Sequence, residues 1–314
     1  MTNRIQRFIA FLLVLCIPIF AIAGCTNNDV ANAANQVTTN ANGTYSIDTK
    51  TTTPEGKLDV YMLDIGQGDA ILLKVGDEYS MIDTGDIEHR ENIVAQLKTM
   101  GVTKLKNIII THPHADHMGG FYAIAKAMPI EHVYDDGIAV DNNMYKTYEK
   151  WIEKNKIQRT TLRSGDVVDF GHGAVFVVYA PWVEPLTDKK GETDLNNNSI
   201  VGKLIFGKFS MLFTGDAEWQ EEKKLIKEQN SRLFARILKV GHHGSRTSSS
   251  EDFLKSIKPE SALISNGMYN KYGHPHDVTL RRLQENNIAI YRTDTMGRIH
   301  ISTDGNARQI TTER

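Results

Sequence analysis

Apolar residues in this chain recur in short alternating runs separated by glycine and polar turns, and their period divides most of it into strands and helices. Residues 58–65 alternate and predict a strand. Gly66-Gln67-Gly68-Asp69 turns the chain, and residues 70–75 and 79–83 predict two further strands of a meander. The spacing of Ile93, Leu97 and Met100 predicts a helix over 88–100, stopped at Gly101. A strand at 107–111, a helix over 117–127, a strand at 132–135 and a helix over 143–155 follow. A second half repeats the plan. It has strands at 174–179, 199–206 and 210–213, a helix over 217–229 and a strand at 237–240. A helix over 250–257, a strand at 261–265, a helix over 277–286 and strands at 288–292 and 298–302 close the domain. Two strand-rich halves with helices outside predict an α/β fold, an αββα sandwich, with a site at one edge of the two sheets.

The first residues follow another pattern. Arg4 and Arg7 precede an apolar run over 8–22, shorter than a membrane span and of the length of an export signal. The run ends in Ile22-Ala23-Gly24-Cys25, which resembles a bacterial lipoprotein cleavage box. That resemblance implies a signal peptide over 1–24, a lipidated Cys25, and an exported protein on the outer face of the cell membrane. An ordinary cleaved signal or an uncleaved anchor is the alternative. Of the 2 cysteines, Cys16 lies inside the signal, so the mature chain retains only Cys25 and no intramolecular disulfide forms. Residues 25–56 are rich in Asn, Thr and Ala, with almost no large apolar side chain, and read as a flexible tether. Residues 57–314 have the composition of one globular domain of roughly 255 residues.

Charge narrows the partners. The formal net charge is −2; 36 basic residues less Arg4 and Arg7 leave 34 against 38 acidic ones, or −4. Such a chain is no generic polyanion binder, so contact with nucleic acid requires a local patch.

The candidate chemistry is concentrated in Thr111-His112-Pro113-His114-Ala115-Asp116-His117, where three of the chain's 11 histidines fall within six residues. The segment follows Ile108-Ile109-Ile110, a short buried strand. Alternation sends His112 and His114 to one side, while Asp116 and His117 begin a turn facing a second point. Imidazole suits zinc-like ions and carboxylate tolerates harder ones. A polar loop with incidental histidines is the bland alternative, and this density argues against it.

The segment resembles the HxHxDH signature of the metallo-β-lactamase superfamily. The resemblance implies a metallo-β-lactamase-like fold and two divalent metal ions, zinc or alternatively manganese. His112 and His114 would hold the first ion, and Asp116 and His117 the second, with Asp116 also catalytic. Asp83, in Ile82-Asp83-Thr84-Gly85, matches an acidic residue that orients the metal loop; it is also a good turn former. Asp216 matches the carboxylate that bridges the two ions, and would otherwise be a helix N-cap. His242-His243 matches the last ligand of the second metal. One of the pair binds and the other contacts substrate; His242 is assigned to the metal and His243 to catalysis, although the residues alone leave the order open. The family's further histidine is missing from Asp194-Leu195-Asn196-Asn197-Asn198-Ser199, so Asn198 or water is expected in its place, with His172 and His274 as other sources.

The match narrows further. Leu63-Asp64-Ile65-Gly66-Gln67-Gly68-Asp69-Ala70, Asn196-Asn197-Asn198-Ser199, Thr214-Gly215-Asp216, Gly241-His242-His243-Gly244-Ser245 and Tyr272-Gly273-His274-Pro275-His276 occur in this order. Together they resemble the soluble domain of ComEC-type DNA-internalisation proteins, over residues 58–302. That implies the catalytic module alone, a metal-dependent phosphodiesterase acting on extracellular DNA, with a DNA-uptake machinery as partner. Asp69, Ser245 and His276 are assigned to orientation or substrate contact. His274 is a general acid or a phosphate contact, with a loop cap as the alternative. The rivals are a surface phosphocholine (teichoic-acid) esterase, a lactonase or β-lactamase, and a non-enzymatic binding module. Nothing in the sequence sets an oligomeric state.

Overall fold

The computed structural model describes residues 54–314, preceded by the backbone of two short strands, β1 (Val37–Thr39) and β2 (Tyr45–Ile47), paired antiparallel. The signal segment and Cys25 lie outside the described residues. An eight-stranded sheet takes β3 (Leu58–Met62), β4 (Ala70–Val75), β5 (Glu78–Thr84), β6 (Leu105–Ile109), β7 (Ile130–Asp135) and β8 (Gln158–Thr161). A seven-stranded sheet takes β9 (Val167–Gly171), β10 (Ala174–Ala180), β11 (Val201–Phe206), β12 (Phe209–Phe213), β13 (Ile237–Lys239), β14 (Ser261–Ile264) and β15 (Ala289–Arg292). β16 (Ile299–Thr303) and β17 (Arg308–Thr312) then return to the first sheet, β16 pairing antiparallel with β3.

The inward faces of the two sheets meet. Val60, Met62, Ile82, Phe176, Leu204, Met211, Phe213 and Ile301 form one fully buried layer between them. Each such side chain contributes roughly 1.5–3 kcal/mol by leaving water. The outward faces are buried too. Leu72, Met81 and Ile108 pack under Ile93 and Leu97 of α1 (Arg90–Thr99), Phe121 of the helix Phe121–Ala127 and Ile152 of the helix Asn143–Asn155. Val177, Leu212 and Leu238 pack under Leu225, Phe253 and Leu283, which lie on the helices Trp219–Gln229, Glu251–Ile257 and Asp277–Glu285. Four layers, helix–sheet–sheet–helix, result, as the sequence pattern predicts.

Three differences from the sequence reading have physical causes. The strand predicted at 298–302 leaves the second half's sheet: Ile299 and Ile301 extend the inner face of the first sheet. The edge strands β8 and β17 escape prediction because Gln158–Thr161 and Arg308–Thr312 are polar and mostly exposed, as sheet edges often are, and the edge strand β9 was also unread although Val168 and Phe170 are buried. The predicted helix over 117–127 is two pieces, Ala115–Met118 and Phe121–Ala127, divided at Gly119-Gly120. A Cβ on Gly120 would lie 2.0 Å from the Thr84 carbonyl oxygen, so only glycine lets this corner dock on the end of β5.

Candidate metal centre

The site gathers where strands of both sheets end. β5 delivers Asp83, β6 the 111–117 turn, β12 Asp216, and β13 Lys239 and the 241–245 loop. Hydrogen bonds to backbone carbonyls stitch the sheets together there. Ile200 N donates to the Thr111 carbonyl at 2.8 Å, and Ser265 Oγ to the Gly68 carbonyl at 2.6 Å. Gly68, at φ +120°, brings the next residue onto the metal turn: Asp69 N donates to the Asp116 carbonyl at 3.0 Å.

Three sets of donor atoms converge among the described residues: Asp116, His117, Asp216 and His243; His112, His114 and Asp216; and Asp69, Asp83 and His117. The first two share Asp216, one oxygen facing each. On the inner side, Asp216 Oδ1 lies 3.1 Å from His117 Nε2 and 3.5 Å from His243 Nε2, which is 3.2 Å from Asp116 Oδ2. On the outer side, Asp216 Oδ2 lies 3.8 Å from His112 Nε2, itself 3.0 Å from His114 Nδ1. Neighbouring ligands on a tetrahedron with bonds of 2.0–2.1 Å stand about 3.3 Å apart.

His117 Nε2, His243 Nε2 and Asp216 Oδ1 are buried without a well-formed hydrogen bond, despite their closeness. They aim at a common centre rather than at one another. Buried polar atoms rarely stay unpartnered, and a cation satisfies all three at once. The donor set therefore fits a metal pair.

The far nitrogens of the inner imidazoles are fixed. His117 Nδ1 meets Asp83 Oδ2 at 2.8 Å, and His243 Nδ1 donates to the Ser265 carbonyl at 2.9 Å. Asp83 also accepts from Thr111 N at 2.7 Å and Thr111 Oγ1 at 2.8 Å, tying the metal turn to β5. Such outer contacts set tautomer and ring orientation. Asp69 is held by the fully buried Lys239, whose Nζ is 2.5 Å from Asp69 Oδ2 and which donates to the Gly215 carbonyl at 3.2 Å.

The electrostatics follow. Burial disfavours charge on His117 and His243, but carboxylates outweigh it. Asp216 and Asp83 hold the pKa of His117 well above its ordinary value, and Asp216, Asp116 and Asp69 push His243 to about 10. Burial would also raise Asp216, yet His117 and His243 hold it well below the carboxylate range. On the outer side, burial and then the charge of His117 lower both His112 and His114. The carboxylates thus make the inner group the part of the site that favours positive charge.

His242 and His243 both adopt the left-handed backbone, at φ 47° and 52°. Side chains there cost roughly 1–3 kcal/mol each. The fold accepts that cost and sends two consecutive imidazoles toward Asp216.

Several sequence assignments change. The partner of the Asp116–His117 group is His243, not His242, which lies at the rim. Asn198 does not take the missing histidine's place. Its amide accepts from Leu186 N at 2.8 Å and donates to the carbonyls of Leu186 at 2.8 Å and Asp194 at 2.7 Å, closing its own loop. The next residue, Ser199, supports the outer group from behind: its Oγ accepts from Asp216 N at 3.1 Å and is 3.4 Å from His112 Nδ1. His172 lies against Gly76, at the opposite end of β5. Ser245 Oγ is bonded to Thr247 Oγ1 at 2.8 Å, and His276 Nδ1 accepts from Arg246 N at 3.1 Å, so both brace the 241–246 loop rather than face a ligand. His274 does face the cleft over the metal cluster, which Gln67, His114, Asn196, His242 and Tyr272 also line. Burial and the charges of His243 and His242 bring its pKa down to about 4. Lys239, Ser199 and Glu218 were missed. A lone lysine in the apolar run Ile237-Leu238-Lys239-Val240 was the available signal for the first.

The metallo-beta-lactamase superfamily model matches residues 63–267. The chain belongs to that superfamily. The competence protein ComA of Neisseria gonorrhoeae is 29% identical over 245 residues, covering 78% of this chain and 32% of its own length. The ComE operon protein 3 of Bacillus subtilis is 30% identical over 264 residues, covering 78% and 33%. The chain thus spans about a third of the length of these curated relatives. Among solved structures, the metallo-beta-lactamase fold protein YhfI of Bacillus subtilis superposes with a TM-score of 0.53 at 11% identity, over 79% of this chain and 100% of its own. That likeness concerns the fold. Membership and the buried donor groups make this a metallo-hydrolase-superfamily protein with a candidate metal-binding cluster.

Proposed function

We propose that the chain is a two-metal phosphodiesterase that cleaves DNA outside the membrane. The observation that carries this reading is Asp216, which turns one carboxylate oxygen to each of two donor groups. His112, His114 and Asp216 would hold one cation, and Asp116, His117, Asp216 and His243 the other. When bound, a cation pair acidifies a water near neutral pH and neutralises charge on the attacked and leaving oxygens of a phosphodiester. Asp83 and the Ser265 carbonyl keep the inner imidazoles aimed. Asp69 with Lys239 fixes the floor. Zinc suits the imidazole-rich donor set, with manganese as the alternative.

DNA is favoured over a small choline ester by the mouth of the cleft. Tyr272, half exposed, stacks on His274 with ring centroids 5.6 Å apart, and Tyr269 is 96% exposed on the same loop. Lys271 Nζ sits 5.1 Å from the Tyr272 ring. Exposed aromatic faces beside a cation suit nucleobases and their phosphates. The relatives named for competence support the same substrate and a place beside a DNA-uptake machinery.

The test is turnover of the purified chain on labelled single-stranded and duplex DNA against phosphocholine esters, with zinc or manganese. Cleavage of DNA that stops on chelation is expected, and Tyr272→Ala should raise KM for oligonucleotides several-fold. Hydrolysis of the choline ester alone would establish the surface-esterase reading instead. The lipid anchor rests on Ile22-Ala23-Gly24-Cys25. No helix among the described residues is long and apolar enough to cross a membrane. Cys25→Ser should move the protein out of the membrane fraction; unchanged fractionation would remove the lipid anchor from this reading.

A further inference from the structure

The outer donor group is one side chain short. His112, His114 and Asp216 supply three donors, and the Asn-rich stretch from which the superfamily resemblance implied a histidine adds none: Asn198 closes its own loop and Ser199 Oγ accepts from Asp216 N. From the opposite wall, His242 Nε2 comes within 3.6 Å of Asp216 Oδ2, the oxygen that His112 Nε2 approaches at 3.8 Å. Its other nitrogen is held as a ligand's usually is. His242 Nδ1 meets Glu218 Oε1 at 3.0 Å, and the same oxygen accepts from Thr247 Oγ1 at 2.9 Å. Thr247 Oγ1 in turn meets Ser245 Oγ at 2.8 Å. A carboxylate on the far nitrogen fixes the tautomer that leaves Nε2 unprotonated and raises its basicity, the arrangement common behind metal-bound histidines.

We infer that His242 is the fourth ligand of the outer metal, so that the pair His242-His243 supplies one imidazole to each ion. A single left-handed turn then does what the superfamily resemblance assigned to two separate segments. The inner group keeps His243; the outer group becomes His112, His114, His242 and Asp216, three imidazoles and one carboxylate, a donor set suited to zinc. Glu218 is the positioning residue. The inference rests on the two-metal reading above and goes beyond it in saying which residue completes which ion.

Titration of the metal-free full chain with zinc by calorimetry, and with cobalt by visible absorption, tests it. Wild type should take up two ions. His242→Ala should weaken one of them by more than about 10-fold and leave the other unchanged, with loss of one nitrogen per two metals in X-ray absorption. Glu218→Gln should weaken the same ion by about 10- to 100-fold, as loss of an outer contact to a ligating histidine does. His242→Gln repeats the measurement should the alanine variant not fold, which circular dichroism of the metal-free proteins reveals. Two ions bound with wild-type affinity in the folded His242 variant would overturn the inference and leave the two-metal reading standing, with His242 facing substrate. Fewer than two ions in the wild type would overturn both.

Discussion

The inner and outer halves of the metal cluster share Asp216 and differ in what stands behind them. Behind Oδ1 the supports are buried and include charged groups: Asp83 grips His117, and Asp69 lies between His243 and Lys239. Behind Oδ2 the supports are hydroxyls. Thr111 Oγ1 is 3.1 Å and Ser199 Oγ 3.4 Å from His112 Nδ1, and the one carboxylate, Glu218, is partly exposed. Carboxylates behind a histidine raise its basicity; hydroxyls orient it with less effect. On the two-metal reading, the inner half would hold its ion the more tightly, and the outer half, open to the cleft through His114 and His242, would be the side that meets substrate.

Removing Asp216 should abolish the comparison. Asp216→Ala takes one donor from each half and leaves His117 and His243 without the carboxylate that balances them. Activity should fall by about 1,000-fold or more, since several kcal/mol of transition-state charge stabilisation depend on both ions. Elemental analysis should find both ions depleted. A folded Asp216→Ala protein that keeps two ions and near-normal kcat would remove the bridging role.

Lys239→Met tests the inner half alone. It strands Asp69 in the interior without its cation, and breaking a buried pair this way costs about 3–5 kcal/mol. For a domain of this size that is roughly a 10 °C fall in Tm. Calorimetry of the metal-free variant should show the fall, and the inner ion should bind more weakly while the outer one is unaffected. Adding Asp69→Asn should recover much of the lost Tm, because the stranded charge is then gone. A Tm of Lys239→Met within a degree or two of wild type would mean that Asp69 is neutral in the fold.

The sequence carried the outline of both halves unequally. The four-layer fold was legible because alternation and 3.6-residue periods mark buried faces, and β8 and β17 were not because polar edges carry no such signal. Most of the motif histidines and aspartates were legible because few residue types bind metal. What was not legible is direction. Asn198 and Ser199 are neighbours in the same Asn-rich stretch, and only the turn geometry decides which side chain faces Asp216. The same holds for His242 and His243, whose left-handed backbone turns His243 toward Asp216 Oδ1 and His242 toward Asp216 Oδ2. Lys239 sits where its strand's alternation expects an apolar residue. The exception was visible, but its partner, 170 residues earlier in the chain, was not.

Adjacent substitutions at 198 and 199 make the finest test of the comparison. Asn198 makes three hydrogen bonds, all to its own loop, so Asn198→Ala leaves the Leu186 N–H and two carbonyls without it and should cost about 1–3 kcal/mol. Thermal unfolding should register this, with little change in metal affinity. Asn198→His should be destabilising for the same reason and should add no ligand. Ser199→Ala removes a single acceptor from Asp216 N and one contact to His112, at about 1 kcal/mol or less. Its effect should instead appear as a few-fold loosening of the outer ion, read by zinc titration, because the hydroxyl steadies two of the outer donors, His112 and Asp216, and touches neither inner imidazole. If Ser199→Ala loosened the inner ion instead, the division of Asp216 between two unequal halves would have to be redrawn.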